Sequence, residues 1–315
     1  MSTHVSTRVS SRRSRQRREA FRATARALWR SRTGRLGLFL TGLLVLAALV
    51  SAFWTPDDPT FVDPTHQWLL PFSGGHLLGT DNLGRDEFSQ LLAGAGTTLE
   101  VAVLATAIAA VVGLAFALAA AATPRLVGAL VERLIDVLVA FPVLLIAIIL
   151  AAVYGGSTWT AVTAIGLGSG VAVARVTRAE IGRVLGTDYV LAAHVAGSGR
   201  WRTIRRHVLP NILPTLIVQL SLVMAVAVLA EAGLSYLGFG TQPPTVSWGR
   251  MLEEQQEYIA IRPLLVIWPG IAVALAVLGF NLLGDGLREA TDPRLRGSAA
   301  ADLVVEAPAT EGADR

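Results

Sequence analysis

Residues 137–174 read VLVAFPVLLIAIILAAVYGGSTWTAVTAIGLGSGVAVA, with no charged side chain anywhere in the run. A helix crosses about 30 Å of hydrocarbon with about 20 apolar residues, so this run is too long for one crossing. It also contains Tyr154-Gly155-Gly156-Ser157, a turn-forming cluster. The spacing predicts two membrane spans joined by a short loop.

Four further uncharged stretches flank it: Leu36 to Trp54, Val101 to Pro124, Val208 to Ala230 and Pro263 to Asn281. Together they predict an all-α membrane protein with six transmembrane helices, at about 36–54, 98–122, 134–153, 159–177, 212–231 and 264–284. Composition agrees. Only 16% of residues are charged and 53% are hydrophobic, whereas soluble domains carry about 25% charged residues.

Composition also removes several chemistries. The chain has no cysteine, which excludes disulfides, thiolate metal ligands and cysteine nucleophiles. All 27 basic residues are arginine. A phosphate-binding P-loop needs a lysine, so ATP hydrolysis would have to occur on another subunit. No catalytic residue, cofactor or metal site is expected. His66 and His76 stand too far apart in sequence to argue for a metal. The pI of about 10.2 follows from arginines flanking the spans and does not indicate a nucleic-acid surface.

Charge sets the expected orientation. Residues 1–35 carry eleven arginines against the single acid Glu19, and cytoplasmic flanks are enriched in basic residues. The N-terminus is therefore placed inside, with 1–35 as an Arg-rich cytoplasmic segment, mostly disordered. The connection 55–96 holds Asp57, Asp58, Asp63, Asp81, Asp86 and Glu87 against Arg85 and falls outside. The connection 178–211 holds Arg178, Arg183, Arg200, Arg202, Arg205 and Arg206 and falls inside. The membrane-spanning body ends near 296, and 297–315 reads as a disordered cytoplasmic tail. Trp54, Trp68, Trp159, Trp248 and Trp268 fall near predicted boundaries, where indole anchors are expected. Gly166 and Gly170 give a spacing that lets helices approach closely in lipid.

The loop 178–211 has a pattern of its own. Ile181, Val184, Leu185, Leu191, Ala192 and Val195 recur at helical spacing. Asp188 is placed as N-cap of a helix over 189–196, and Gly197 as its stop, because glycine tolerates positive φ. Ser198 is placed as cap of a second short helix carrying Arg200 to His207. Leu209-Pro210-Asn211 then leads into the fifth span. Physics alone leaves two uses open: arginines held to anionic lipid, or a docking element for a cytoplasmic protein.

Asp188-Tyr189-Val190-Leu191-Ala192-Ala193, Gly197 and His207-Val208-Leu209-Pro210-Asn211 resemble the EAA loop of binding-protein-dependent ABC importer permeases. His76-Leu77-Leu78-Gly79-Thr80-Asp81-Asn82-Leu83-Gly84-Arg85-Asp86 resembles a segment of the dipeptide, oligopeptide and nickel permeases. So do Asp136 to Phe141-Pro142, Asn281 to Arg288 and Asp292-Pro293-Arg294-Leu295. The resemblance is to the second permease of such a pair. It implies the type I ABC importer permease fold in the cell membrane and a non-catalytic subunit. The implied partners are a homologous permease, two ABC ATPases, an extracytoplasmic solute-binding protein and membrane lipid, with no nucleic acid. It implies that Asp188, Tyr189, Ala192, Ala193, Gly197, His207, Leu209, Pro210 and Asn211 form the ATPase-coupling loop. Substrate-binding residues are not assigned. Leu191 stands where the motif has Glu, Leu77 where relatives have Pro, and Gln90 and Gly96 where the subfamily often has Arg. An ion-coupled secondary carrier is the alternative, and the expected absence of mid-membrane carboxylates weighs against it.

Overall fold

The computed structural model of the chain describes residues 22–291. The N-terminal segment to residue 21, the Asp292 to Leu295 stretch and the tail 297–315 lie outside the described residues. Helical backbone runs over 22–30 (α1), Arg32–Ser51 (α2), Glu87–Ala122 (α3), Arg125–Leu138 (α4), Val143–Tyr154 (α5), Thr158–Leu185 (α6), Asp188–Val195 (α7), Arg200–Thr203 (α8), Leu209–Tyr236 (α9), Trp248–Gln255 (α10) and Pro263–Thr291 (α11). Among the described residues the only β structure is two isolated bridges, Ser73 with His76 and Thr80 with Asp86.

The organising contact is α3 against α6, and small residues make it possible. A Cβ on Gly166 would meet Ile108 and the Ala105 carbonyl, and one on Gly170 would meet Val112. Across the seam, a Cβ on Gly113 would run into Val173 and the Gly170 carbonyl. The matched positions advance together along both helices, so α3 and α6 run parallel. Ala102, Ala105, Ala109, Ala164 and Ala174 are fully buried beside the glycines. Lipid supplies no hydrophobic drive between helices, so close backbone packing has to supply the association. A second seam joins α2 to α11. Gly37 meets the backbone of Leu282 and Leu283, and Gly34 meets Gly286. Ser31 and Thr33 hydroxyls donate to Glu289 at 2.6 and 3.0 Å, fastening the start of α2 to the end of α11.

Among the described residues, five helical stretches are long and apolar enough to cross a membrane: α2, α3, α6, Arg200–Tyr236 and α11. The pair α4 and α5 makes a sixth when taken as one broken span, bent by 83°. The continuous third span expected over 134–153 is therefore two helices. Pro142 has no N–H to donate and disfavours helical φ/ψ at Phe141, and α5 starts afresh behind it. Helices also overrun their expected spans. α3 begins at Glu87, eleven residues before the expected 98, because the Asp86 carboxylate caps it by accepting from Ser89 N at 2.7 Å. Its 36 residues extend about 54 Å at 1.5 Å per residue, well beyond a hydrocarbon core. α6 continues to Leu185 and α11 to Thr291.

The seam yields a direct test. Gly166→Leu drives a side chain into Ile108 and should lower the thermal midpoint of the detergent-solubilised chain, overpacking costing about 1–3 kcal/mol. Gly182→Ala meets nothing within 4 Å and should leave the midpoint unchanged or raise it, since alanine is the better helix former. Fluorescence-detected size exclusion after a heat step measures both.

Candidate functional site

The expected loop residues gather at one end of the bundle. Val190 of α7 is fully buried with Ile204, Val208, Ile212, Ile181, Val184 and Ala117. This small core seats α7 and the base of α9 on α6 and α3. Asp188 opens α7 as a first-turn acid and does not stand before it as a cap. Thr187 precedes it, with its own hydroxyl turned back to the Val184 carbonyl at 2.6 Å. Gly197 stops the helix as expected, at φ +82°, with Ser198 N bonding back to Ala193 O at 3.0 Å.

Two expectations are corrected here. The helix begun at Arg200 is not separate from the fifth span. Gly199 stands at its N-cap position, and a π-helical turn over Ile204–Val208 joins α8 directly to α9. Leu209 N reaches back to Ile204 O, the widened register of a π turn. Pro210 follows with no N–H, which leaves the turn one backbone donor short. The apolar period across the loop is not one buried face either. Ile181 and Val184 are buried, but Leu191 is 51% exposed and Val195 91% exposed, because the break at 186–187 interrupts the helical register. Ala192 and Gly197 are exposed beside them and Ala193 is half-buried. Trp201 of α8 is 60% exposed, and Arg200, Arg202, Arg205 and Arg206 near it in the chain are exposed as well.

Tyr189, His207 and Asn211 come together. The Asn211 amide donates to Tyr189 Oη at 3.0 Å and to the His207 carbonyl at 2.6 Å, and the Tyr189 and His207 rings are 6.1 Å apart. Leu209 is half-buried and Pro210 exposed.

The opposite end is capped by 52–86 and α10. Arg85 donates from Nε to Asp81 at 2.6 Å and from its guanidinium tip to Glu254. Arg250 holds the other oxygen of Glu254 at 2.7 Å. Burial acts against the charged form of Arg85, but Asp81 and Glu254 outweigh it and raise its pKa. Asp81 is fully buried and also accepts from Gln90 at 3.1 Å and from Leu83 N and Arg85 N. Gln90 thus occupies a buried slot in this lattice. Gln255 donates to the buried Glu87 at 2.9 Å. Trp248 is buried and donates to Leu91 O at 2.9 Å, so its indole secures α10 to α3 and is no lipid anchor. Trp68 packs edge-on against Tyr258.

Sequence separation hid other neighbours. The His66 and His76 rings lie 6.2 Å apart. Asp57, His76 and Asp86 offer ligand-type atoms within 4.8 Å of one another. His76 Nδ1 already lies 2.9 Å from Asp86, whose second oxygen caps α3, so the group holds the loop to the helix. Glu231 of α9 is fully buried, accepting from Ser235 at 2.7 Å and Thr241 at 3.3 Å. The packing roles of Glu231 to Ser235 and of Pro243 to Gly249 were not read from sequence. Their signal was an acid inside an apolar run, followed by a Pro-Pro turn and a Ser-Trp-Gly helix start.

With this geometry in view, residues 109–297 match the family described as binding-protein-dependent transport system inner membrane component. The chain belongs to this family. The di/tripeptide transport system permease of Pseudomonas aeruginosa is 39% identical over 84% of this chain and 88% of its own length. The nickel transport system permease of Escherichia coli strain K12 is 34% identical over 83% and 94%. A crystal structure of an amino acid ABC transporter with histidines superposes with a TM-score of 0.50 at 20% identity, covering 62% of this chain and 91% of that one. The fold is therefore that of an ABC transporter permease, a multi-pass component of the cell membrane.

Arg85→Gln would leave Asp81 buried without its cation, a loss of about 3–5 kcal/mol for a broken buried pair. The expected result is a thermal midpoint lowered by several degrees. Arg183→Gln, whose side chain is 65% exposed, should leave the midpoint in place.

Proposed function

We propose that this permease imports peptides, or a small solute of that size, as one half of a pore, and that ATPases drive it through α7. The partners in this reading are a homologous permease, two cytoplasmic ABC ATPases and an extracytoplasmic solute-binding protein. The Arg-rich end carrying α7 faces the cytoplasm with both termini, and the 52–86 and α10 cap faces outward. The observation that carries the reading is the exposure of Leu191, Ala192 and Val195 on α7 and of Gly197 just beyond it. These residues sit beside a helix that runs unbroken from Arg200 to Tyr236. A partner seated on them would push on the base of a membrane-length lever.

Small side chains at Ala192, Ala193 and Gly197 let a partner groove approach the α7 backbone. Among the described side chains of α7, Val190 is the one fully buried, while Leu191, Ala192 and Val195 stand exposed, which suits a docked partner. The charge pattern supports the orientation, since the arginines of 178–211 would sit on the inner side. The peptide assignment rests on likeness to the di/tripeptide permease. An ion-coupled carrier needs an accessible carboxylate along its path, whereas Glu231 is enclosed by Ser235 and Thr241 near the outer end of α9.

Val195→Asp changes a side chain that packs against almost nothing within the chain. The variant should reach the membrane in normal amount, lose co-purifying ATPase, and lose uptake of radiolabelled dialanine in whole cells. Normal uptake with ATPase still bound would contradict the docking role.

A further inference from the structure

We infer that Asn211 and Tyr189 are positioning residues that clamp α7 to the base of α9, so that a displacement of α7 is delivered into the long helix. The inference rests on the α7 docking reading above. The backbone route between the two helices is 196–199, which includes Gly197 at φ +82° and Gly199. Neither has a neighbour within 4 Å of where a Cβ would sit. A push on α7 sent only through this turn would be spent on bending it, because glycine backbone yields easily.

The clamp bypasses that turn. The Asn211 amide nitrogen carries two donors, and both are used. One goes to the His207 carbonyl of the π turn, and the other crosses to Tyr189 Oη on α7. The Tyr189 ring lies against His207, and Val190, the next residue, is locked into the core with Ile204, Val208 and Ile212. Three contacts thus join α7 to the π turn and the first turn of α9, within reach of the exposed docking face. π turns recur at functional sites as local departures from α geometry. Here the turn presents a carbonyl that a side chain at 211 can reach. The Tyr189–Asn211 bond is open to water in the free chain. A docked partner would exclude that water and strengthen it, so the clamp would tighten when force is applied.

The chain has no cysteine, so spin labels can be placed at Phe53→Cys and Leu237→Cys, beyond the outer ends of α2 and α9. The full assembly with its ATPases is placed in nanodiscs and trapped with ATP and vanadate. Electron–electron distance measurements should show a new distance population in the otherwise unaltered chain. In Tyr189→Phe, which keeps the ring, the ATPases should stay bound and the trapped population should fall roughly two- to tenfold, the range one net hydrogen bond can supply. Asn211→Ala should behave alike, and the double variant should lose no more than either single one. A full shift in Tyr189→Phe, or loss of the ATPases from it, overturns the clamp while leaving docking intact as a reading. ATPases absent from the unaltered assembly, or no shift in it, would instead sink the parent reading.

Discussion

Close backbone approach between α3 and α6 is the constraint from which the remaining architecture hangs. In water, burying leucines would hold two helices together; in lipid, the tails are as apolar as the side chains, and only tight complementary packing favours contact. Glycine at 113, 166 and 170 with alanine at 105 and 109 creates that fit. Once α3 and α6 lie parallel and in register, α5 can rest on α6 through Gly168 and Val143, and α4 can place Ile135 against Val171 and Ala174. Both ends of the seam then become platforms.

The two platforms are built with opposite chemistry. At the cap end, fully buried polar groups dominate: Asp81 and Gln90 are joined through Arg85 to Glu254 and Arg250, and Glu87 to Gln255, across more than a hundred residues of sequence. Such a lattice tolerates little rearrangement, because each broken partner leaves a buried polar group unsatisfied. At the other end, a small apolar core of valine and isoleucine holds α7, while the outer side of α7 stays bare. One end is tied together by buried polar groups; the other has an exposed apolar surface backed by a long helix. In this account the difference divides substrate-side structure from the side where mechanical work enters.

Much of this was legible from residue order. Uncharged runs located the helices that cross the membrane, since the length requirement is set by bilayer thickness alone. Gly166 and Gly170 announced a packing seam, and Gly197 a helix stop. What escaped notice depended on tertiary partners. Trp248 reads as an interfacial anchor until α3 is seen to offer the Leu91 carbonyl. Glu87 reads as loop surface until Asp86 extends α3 beneath α10. The bend at 139–142 was foreshadowed by Pro142, but a proline only permits a kink, and whether the chain turns by 83° is settled by where α6 lets α5 lie. Leu191 and Val195 fit a helical period, yet periodicity does not state which side has a neighbour, and both side chains stand exposed.

The central claim is that the bare face of α7 lies in the cytoplasm beneath another protein. A single cysteine introduced at Val195 in this cysteine-free chain reports on it directly. In intact cells a membrane-impermeant maleimide should leave it unmodified; in inverted vesicles it should react slowly, and rapidly once urea has stripped peripheral subunits away. Fast labelling from outside intact cells, or equal labelling of stripped and unstripped vesicles, would contradict the account.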